Sequence, residues 1–268
     1  VMKKENIVDD YYNNGYVVID DVISDYQNKN ILNELNKFNK NEFHNLSNEN
    51  KFLNKNNSNG FMYIGQPHVK SKIIYKQIFN KKIIKTLTQI LGLNIPFWDG
   101  GIKFVQSMLV NKVPNGNGSP WHQDEYPIPT RDRSLTGVWI SLEKSTIQNG
   151  CLWIIPNSHQ SGILYKRYKH NIPNVDSMEI ARGFDDSKQI PIETPKNSAI
   201  FFSGYLLHSS KKNVSQNNRP ALTLHYCSSS TYLTWQGVQN YRGIIPVVGD
   251  DPYAFEGYST PEMWFKEY

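Results

Sequence analysis

Ala199-Ile200-Phe201-Phe202-Ser203-Gly204-Tyr205-Leu206-Leu207-His208-Ser209-Ser210 is the stretch that decides the fold. A short aliphatic and aromatic run is closed by the turn pair Ser203-Gly204, and a histidine follows. Such a run, bounded by turn chemistry, reads as a buried strand. The same texture recurs on both sides, at 102–110, 135–142, 151–155 and 221–226. Pro114-Asn115-Gly116, Gln148-Asn149-Gly150 and Pro156-Asn157-Ser158 separate these runs as turns.

The first hundred residues read differently. A short polar helix pattern within 5–20 gives way to Gly15-Tyr16-Val17-Val18-Ile19, a strand. Apolar positions at Ile31, Leu32, Leu35 and Phe38 have helical spacing. The Asn- and Lys-rich 40–60 reads as an exposed loop. The spacing of Ile73, Ile74, Ile78, Ile83, Ile84, Leu87 and Leu91 predicts one helix over 72–91, with Gly92 as its C-cap glycine. Helices first and short strands afterwards give a mainly β fold with flanking helices, a β-sandwich or jelly roll buttressed by the N-terminal helices. No composition break marks a second domain. The expectation is one domain over 1–268, with a helical part to about residue 100, a jelly-roll core over about 101–230, and a Gly-, Pro-, Tyr- and Trp-rich tail over 231–268 packed on the barrel.

Composition narrows the function classes. A hydrophobic fraction of 38% supplies a sizeable core and excludes a disordered chain. The net charge of +5 comes from dispersed lysines, not a basic stripe, which argues against a nucleic-acid partner. Cys151 and Cys227 lie in strand-like segments and read as two buried free thiols. No apolar run has the length of a membrane span, and 1–10 lacks the apolar core of a secretion signal. A cytoplasmic protein with a small-molecule partner is the expectation, and the oligomeric state is left open.

The chemistry concentrates at Trp121-His122-Gln123-Asp124. Residues i and i+2 of a strand point to one face, so His122 and Asp124 can converge on one ion. Alone, His-x-Asp arises often by chance. It gains weight from His208, a third ligand on a later strand. Two histidines and a carboxylate on one face suit iron(II) and leave three positions open, two for a bidentate keto acid and one for O2. Arg219 opens the apolar run Arg219-Pro220-Ala221-Leu222-Thr223-Leu224, across a polar loop from His208. A buried guanidinium needs a partner, and the far carboxylate of 2-oxoglutarate would supply it.

Four segments taken together carry a resemblance. Gln106-Ser107-Met108-Leu109-Val110-Asn111-Lys112, Trp121-His122-Gln123-Asp124, Thr136-Gly137-Val138-Trp139-Ile140-Ser141-Leu142 and Asn149-Gly150-Cys151-Leu152-Trp153-Ile154-Ile155-Pro156-Asn157-Ser158-His159 resemble, in that order, the phytanoyl-CoA dioxygenase family. The resemblance runs over most of 10–230. It implies a double-stranded β-helix, iron(II) on His122, Asp124 and His208, and 2-oxoglutarate on Arg219. It further implies that Gln106 meets the co-substrate and that Ser210 and Trp139 are secondary pocket positions. Within the superfamily, halogenating members carry a small residue where Asp124 stands here, so hydroxylation or a related oxidation is expected.

Other residues carry weaker readings. The segment 125–133 follows the metal motif and should border the substrate, making Tyr126 and Arg131 candidate contacts, with Arg133 beside them; rim arginines paired with Glu125 or Asp132 are the bland alternative. Gln123, within the motif itself, is a further candidate substrate contact. His44 and His170 read as solvated, His68 as structural or solvated, and His159 as a turn hydrogen-bonder. His225 reads as a hydrogen-bonded core or pocket residue. Trp121, Trp153 and Trp235 read as core. Two other functions stay open: a cupin-like metalloenzyme that does not use 2-oxoglutarate, and a non-catalytic jelly-roll binding protein.

Overall fold

The computed structural model describes residues 6–39, 61–176, 178–233 and 244–254. The loop 40–60, His44, Trp235 and most of the tail lie outside the described residues. In chain order the elements are α1 (Ile7–Asn14), β1 (Tyr16–Ile19), α2 (Asp25–Asn39), β2 (Phe61–Gly65), a 3-10 turn (Pro67–Val69), α3 (Lys72–Gln77), α4 (Lys81–Ile90), β3 (Ile102–Lys112), β4 (Ser119–His122), β5 (Thr136–Ser141), β6 (Leu152–Ile154), β7 (Arg167–Tyr168), β8 (Ile180–Ala181), β9 (Ile190–Ile192), β10 (Ala199–Ser203), β11 (His208–Ser210), β12 (Arg219–Ser228) and β13 (Ile245–Val248).

Two antiparallel sheets make a jelly roll. The major sheet runs β1-β10-β5-β12-β3-β13, with β2 also pairing the far half of β3. The minor sheet runs β4-β11-β6-β9, and β7 and β8 form a separate ribbon. Alternation along β12 sorts its side chains. Leu222, Leu224 and Tyr226 face the helices, where they join Ile31, Leu35, Ile74, Ile83 and Leu87 in the main core. Ala221 packs inward with Trp139, Ile200 and Phe202, and Arg219 and Thr223 open onto the space between the sheets. Both faces of the major sheet are therefore covered, which is why its strands read as near-continuous apolar runs.

Two helix expectations are corrected. The single helix over 72–91 is two helices, because Asn80 leaves helical geometry (ψ 122) and its side chain accepts from the Lys82 and Ile83 amides, capping α4. Gly92 is not a left-handed C-cap; the cap of α4 is Leu91 in ordinary right-handed geometry. Gly92 is small because the Trp98 indole lies where its Cβ would be, with Cε3 only 2.0 Å away. The polar loop between His208 and Arg219 crosses from one sheet to the other, since β11 belongs to the minor sheet and β12 to the major. The two residues face each other across the sandwich.

The tail 244–254 is described, and β13 pairs with β3. Beside it, buried Lys103 donates to Ser229 O, Thr231 O and the Asp251 carboxylate. Cys151 and Cys227 are both free and buried. No described helix is long and apolar enough to cross a membrane.

Candidate metal centre

His122 ends β4 and His208 begins β11, and the two residues are direct partners in the ladder. Opposite residues of an antiparallel pair emerge on one face, and their rings lie 4.1 Å apart between centroids. The register shifts between this pair and Ser210↔Ser119, so β4 carries a bulge holding Pro120, whose missing N–H costs the ladder nothing there. At the same crossing Gly118 admits the Ser210 carbonyl, which would lie 2.1 Å from a Cβ.

Each imidazole is oriented from behind. His122 Nδ1–H donates to Pro120 O at 2.8 Å and His208 Nδ1–H to Leu206 O at 2.9 Å. A carbonyl can only accept, so the proton is on Nδ1 in both rings and the Nε2 lone pairs are free. Both Nε2 atoms lie 3.7 Å from Asp124 Oδ1, and all three donor atoms fall within 4.8 Å of one another. Asp124 comes from the turn just after β4, not from the strand itself. Burial alone would raise its carboxyl, but His208, His225 and His122 around it hold it well below the usual carboxylate range. Burial and the neighbouring His208 push His122 down to about 3. Two imidazole nitrogens turned from their backbone carbonyls and one carboxylate oxygen thus converge, the donor set a divalent ion requires.

A second layer reaches the carboxylate from the opposite sheet. His225 Nε2–H donates to Asp124 Oδ2 at 2.8 Å, and Gln106 Nε2 donates to His225 Nδ1 at 3.3 Å. Gln106 and His225 are ladder partners, placed beside the β3–β12 bulge. Oδ2 is thereby occupied and Oδ1 left facing the imidazoles. His225 is a hydrogen-bonded pocket residue, in line with its sequence reading.

The three donors open onto a cavity of about 460 Å³. At one end is buried Arg219; its direct ladder partner Lys112 is also buried but is not part of the lining, and burial and the neighbouring Arg219 hold its amine well below the usual lysine range. Lys112 donates to Ser210 Oγ and Lys211 O, both at 2.7 Å. The Arg219 guanidinium lies over the Trp139 ring, 5.1 Å from its centroid, and its Nε and Nη1 are buried with no hydrogen-bond partner. Burial lowers its pKa to about 10. A buried guanidinium with two unpartnered nitrogens is costly. An anion in the cavity would offset it, so the residues fit a keto dicarboxylate chelated at the metal and held at its far end by Arg219.

Of the sequence candidates, the structure brings His122, Asp124, His208, Arg219, Gln106, Ser210 and Trp139 to this cavity. It does not bring Gln123, Tyr126 or Arg131 to its lining. Gln123 is buried and turned away: Nε2 donates to Ile163 O and Tyr205 O, and Oε1 accepts from the Tyr165 amide. Tyr126 lies on the rim under the Arg167 guanidinium. Exposed Arg131 adopts φ 63 and gives its backbone N–H to Glu125, the carboxyl that also binds the Thr130 amide and hydroxyl. Burial raises Glu125 to about 7. Arg133 sits over Tyr205 instead. His68 is buried with Nδ1 on Ser107 Oγ, His170 is half-buried, and His159 donates to Tyr12 O, tying its turn to the end of α1. Trp121 and Trp153 do not line the cavity.

Sequence reasoning missed Lys112, although the argument used for Arg219, a cation inside an apolar run, applies to it equally. It also missed Arg167 and Asp176, which line the cavity from the segment over the minor sheet. The sequence around Arg167, Tyr165-Lys166-Arg167-Tyr168-Lys169-His170, has the composition of a solvated loop.

Comparison with known proteins agrees with this geometry. The family model of phytanoyl-CoA dioxygenase (PhyH) matches residues 11–221. Phytanoyl-CoA dioxygenase of Arabidopsis thaliana is 32% identical over 157 residues, 58% of this chain and 53% of that protein. The peroxisomal phytanoyl-CoA dioxygenase of Bos taurus is 24% identical over 95% of this chain and 78% of its own length. The chain spans about half the length of the first of these relatives. Among solved structures, the epimerase SnoN in complex with Fe3+, alpha ketoglutarate and nogalamycin RO superposes with a TM-score of 0.66 at 14% identity, covering 92% of this chain and 96% of that one. EctD from S. alaskensis with 2-oxoglutarate and 5-hydroxyectoine gives 0.63 at 17% identity, covering 84% and 76%. At these identities the structural likeness speaks for the fold.

Proposed function

The chain belongs to the phytanoyl-CoA dioxygenase family, and on that footing we propose that it is an iron(II)- and 2-oxoglutarate-dependent oxygenase that oxidises a C–H bond of a small-molecule metabolite. The observation that carries the reading is the meeting, in one cavity, of three convergent donors with a buried arginine whose Nε and Nη1 are unclaimed. His122, His208 and Asp124 would hold the metal, and Arg219 the distal carboxylate of the keto acid. Bound iron supplies the redox chemistry that couples 2-oxoglutarate and O2 to succinate, CO2 and the oxidised substrate. The protein's own part is placement. Pro120 O and Leu206 O fix the imidazole tautomers. His225 keeps Oδ2 of Asp124 engaged, so that the carboxylate presents Oδ1. Trp139, Phe202 and Leu152 line the cavity with apolar surface and exclude water from the reacting centre. Asp124, at the carboxylate position, supports hydroxylation or a related oxidation.

The test is anaerobic titration of the metal-free protein with iron(II) and 2-oxoglutarate, following the visible charge-transfer band of the keto-acid chelate. The band is expected in the wild type and absent in His208→Ala. A folded, iron-loaded wild type without the band would reject the 2-oxoglutarate reading and leave the cupin-like or non-catalytic alternatives.

A further inference from the structure

One arginine of the cavity lining is left over once the metal and the co-substrate are assigned. Arg167, on β7, lines the same space as the three donors. Its Nη2 donates to Gln123 O at 2.9 Å, and its guanidinium lies over the Tyr126 ring, 5.1 Å from the centroid. Its Nε is buried with no hydrogen-bond partner. Among the described residues no carboxylate forms an ion pair with it. Asp124, whose charge acts on it, is already engaged by His225 and faces the two imidazoles.

This arginine is not a second holder of the co-substrate's far end. Arg219 stands six residues before His225 on β12 (225 − 219), and His225 is the residue that meets Asp124. Arg167 is bonded to the carbonyl of Gln123, the residue between His122 and Asp124. Arg219 therefore lies far along its strand from the three donors, while Arg167 lies beside them. One keto dicarboxylate has one distal carboxylate, which Arg219 and its buried neighbours take. The rest of the lining includes apolar Met108, Pro127, Ile128 and Met178 and the ring of Tyr63. The lining's other carboxylate, Asp176, receives the Met178 amide at 2.9 Å and is under the charge of Lys112.

The geometry points to Arg167 as the anion subsite of the substrate, which would be an organic carboxylate with a largely apolar body, its carboxylate held beside the metal-facing carbon. A guanidinium that is half-desolvated, braced on a carbonyl and an aromatic face, and short of one acceptor is a preformed receptor for such a group. The inference rests on the oxygenase reading above, and its test is arranged to separate the two.

The protein is loaded anaerobically with iron(II) and saturating 2-oxoglutarate, and formation of the charge-transfer band is verified. Straight-chain carboxylates from butanoate to octanoate are then titrated in parallel with their primary amides, with binding read by calorimetry and by perturbation of the band. At least one carboxylate should bind about tenfold or more tighter than its amide, the size expected of one charge-assisted hydrogen bond. The preference should vanish in Arg167→Gln and partly return in Arg167→Lys, while 2-oxoglutarate affinity stays unchanged. If the band fails to form, the co-substrate reading fails. If the band forms but no carboxylate is preferred over its amide, or the preference survives in Arg167→Gln, the subsite assignment is overturned. Should Arg167→Gln not fold, the carboxylate-over-amide ratio in the wild type and its weakening by salt decide the matter.

Discussion

The inner face of β12 and the β7–β8 ribbon each bring one arginine with an unclaimed N–H to the same cavity, and they do so with opposite mechanics. β12 is paired on both sides, by β3 and by β5, and all ten of its residues are buried. Arg219 stands on a strand that cannot shift without breaking two ladders. The ribbon is two residues of β7 against two of β8, joined to neither large sheet by a ladder. It is seated by Trp121, Tyr165 and Phe184 stacked edge to face and by the side chain of Gln123. The difference teaches where each kind of recognition can reside. On the proposed reading, the site that must take the same co-substrate at every turnover is built into the rigid ladder. The site proposed to select the substrate is carried by a segment that can vary without disturbing the sandwich.

The strongest way to break this contrast is to remove Arg219. Arg219→Ala leaves Lys112 and the incoming carboxylate without the guanidinium, and truncating one side of a buried charge pair costs at least about 2–3 kcal/mol. Affinity for 2-oxoglutarate, measured by anaerobic titration of the charge-transfer band, should fall about a hundredfold or more. Iron affinity should be unchanged. The fold should be retained or slightly stabilised, because the loss also removes a buried cation without a partner. A fall of less than threefold would show that Arg219 does not hold the co-substrate.

Next in size is His225, the residue through which the rigid sheet reaches the metal ligands of the other sheet. His225→Phe keeps the bulk and deletes the hydrogen bond to Asp124 Oδ2. Loss of such a partner behind a ligand lowers metal affinity by about 10–100-fold. Competition against a chelator of known affinity should read a drop in that range. Gln106→Leu, one bond further away at 3.3 Å, should give a smaller drop in the same direction. Equal iron affinity in His225→Phe and wild type would mean that Asp124 is oriented by its own turn.

The same contrast explains what was legible in the sequence. Strand alternation exposes a chemically odd residue in an apolar run, which is how Arg219 and His208 stand out. His122 and Asp124 were legible through their spacing, although the strand stops at His122 and the turn, not the pleat, delivers Asp124. The helix break at Asn80 was carried by a cap that competes with the apolar periodicity around it, and periodicity alone cannot see it. Gln123 looked like a pocket residue because it lies between two ligands. Its side chain is drawn away from them by the carbonyls it binds, Ile163 O and Tyr205 O, which come from segments remote in sequence. Arg167 gave no local signal, since its burial comes from tertiary contacts of a polar loop.

Gln123 also provides the finest test, because it belongs to neither arginine yet supports one of them. Its side chain makes three hydrogen bonds and its carbonyl accepts from Arg167. Gln123→Leu keeps the carbonyl but leaves two buried acceptors and one donor without partners, at a cost of about 2 kcal/mol after partial rewetting. Urea unfolding should show that loss. Trypsin should cut sooner at Lys166, Arg167 or Lys169, because the ribbon has few other ties. Affinity for 2-oxoglutarate should stay within about threefold of wild type, since the β12 ladder is untouched. If stability falls but the ribbon remains as resistant to trypsin as before, Gln123 braces the sandwich as a whole. The ribbon would then be held by its aromatic seat alone, and the mechanical difference between the two arginines would be smaller than the ladders suggest.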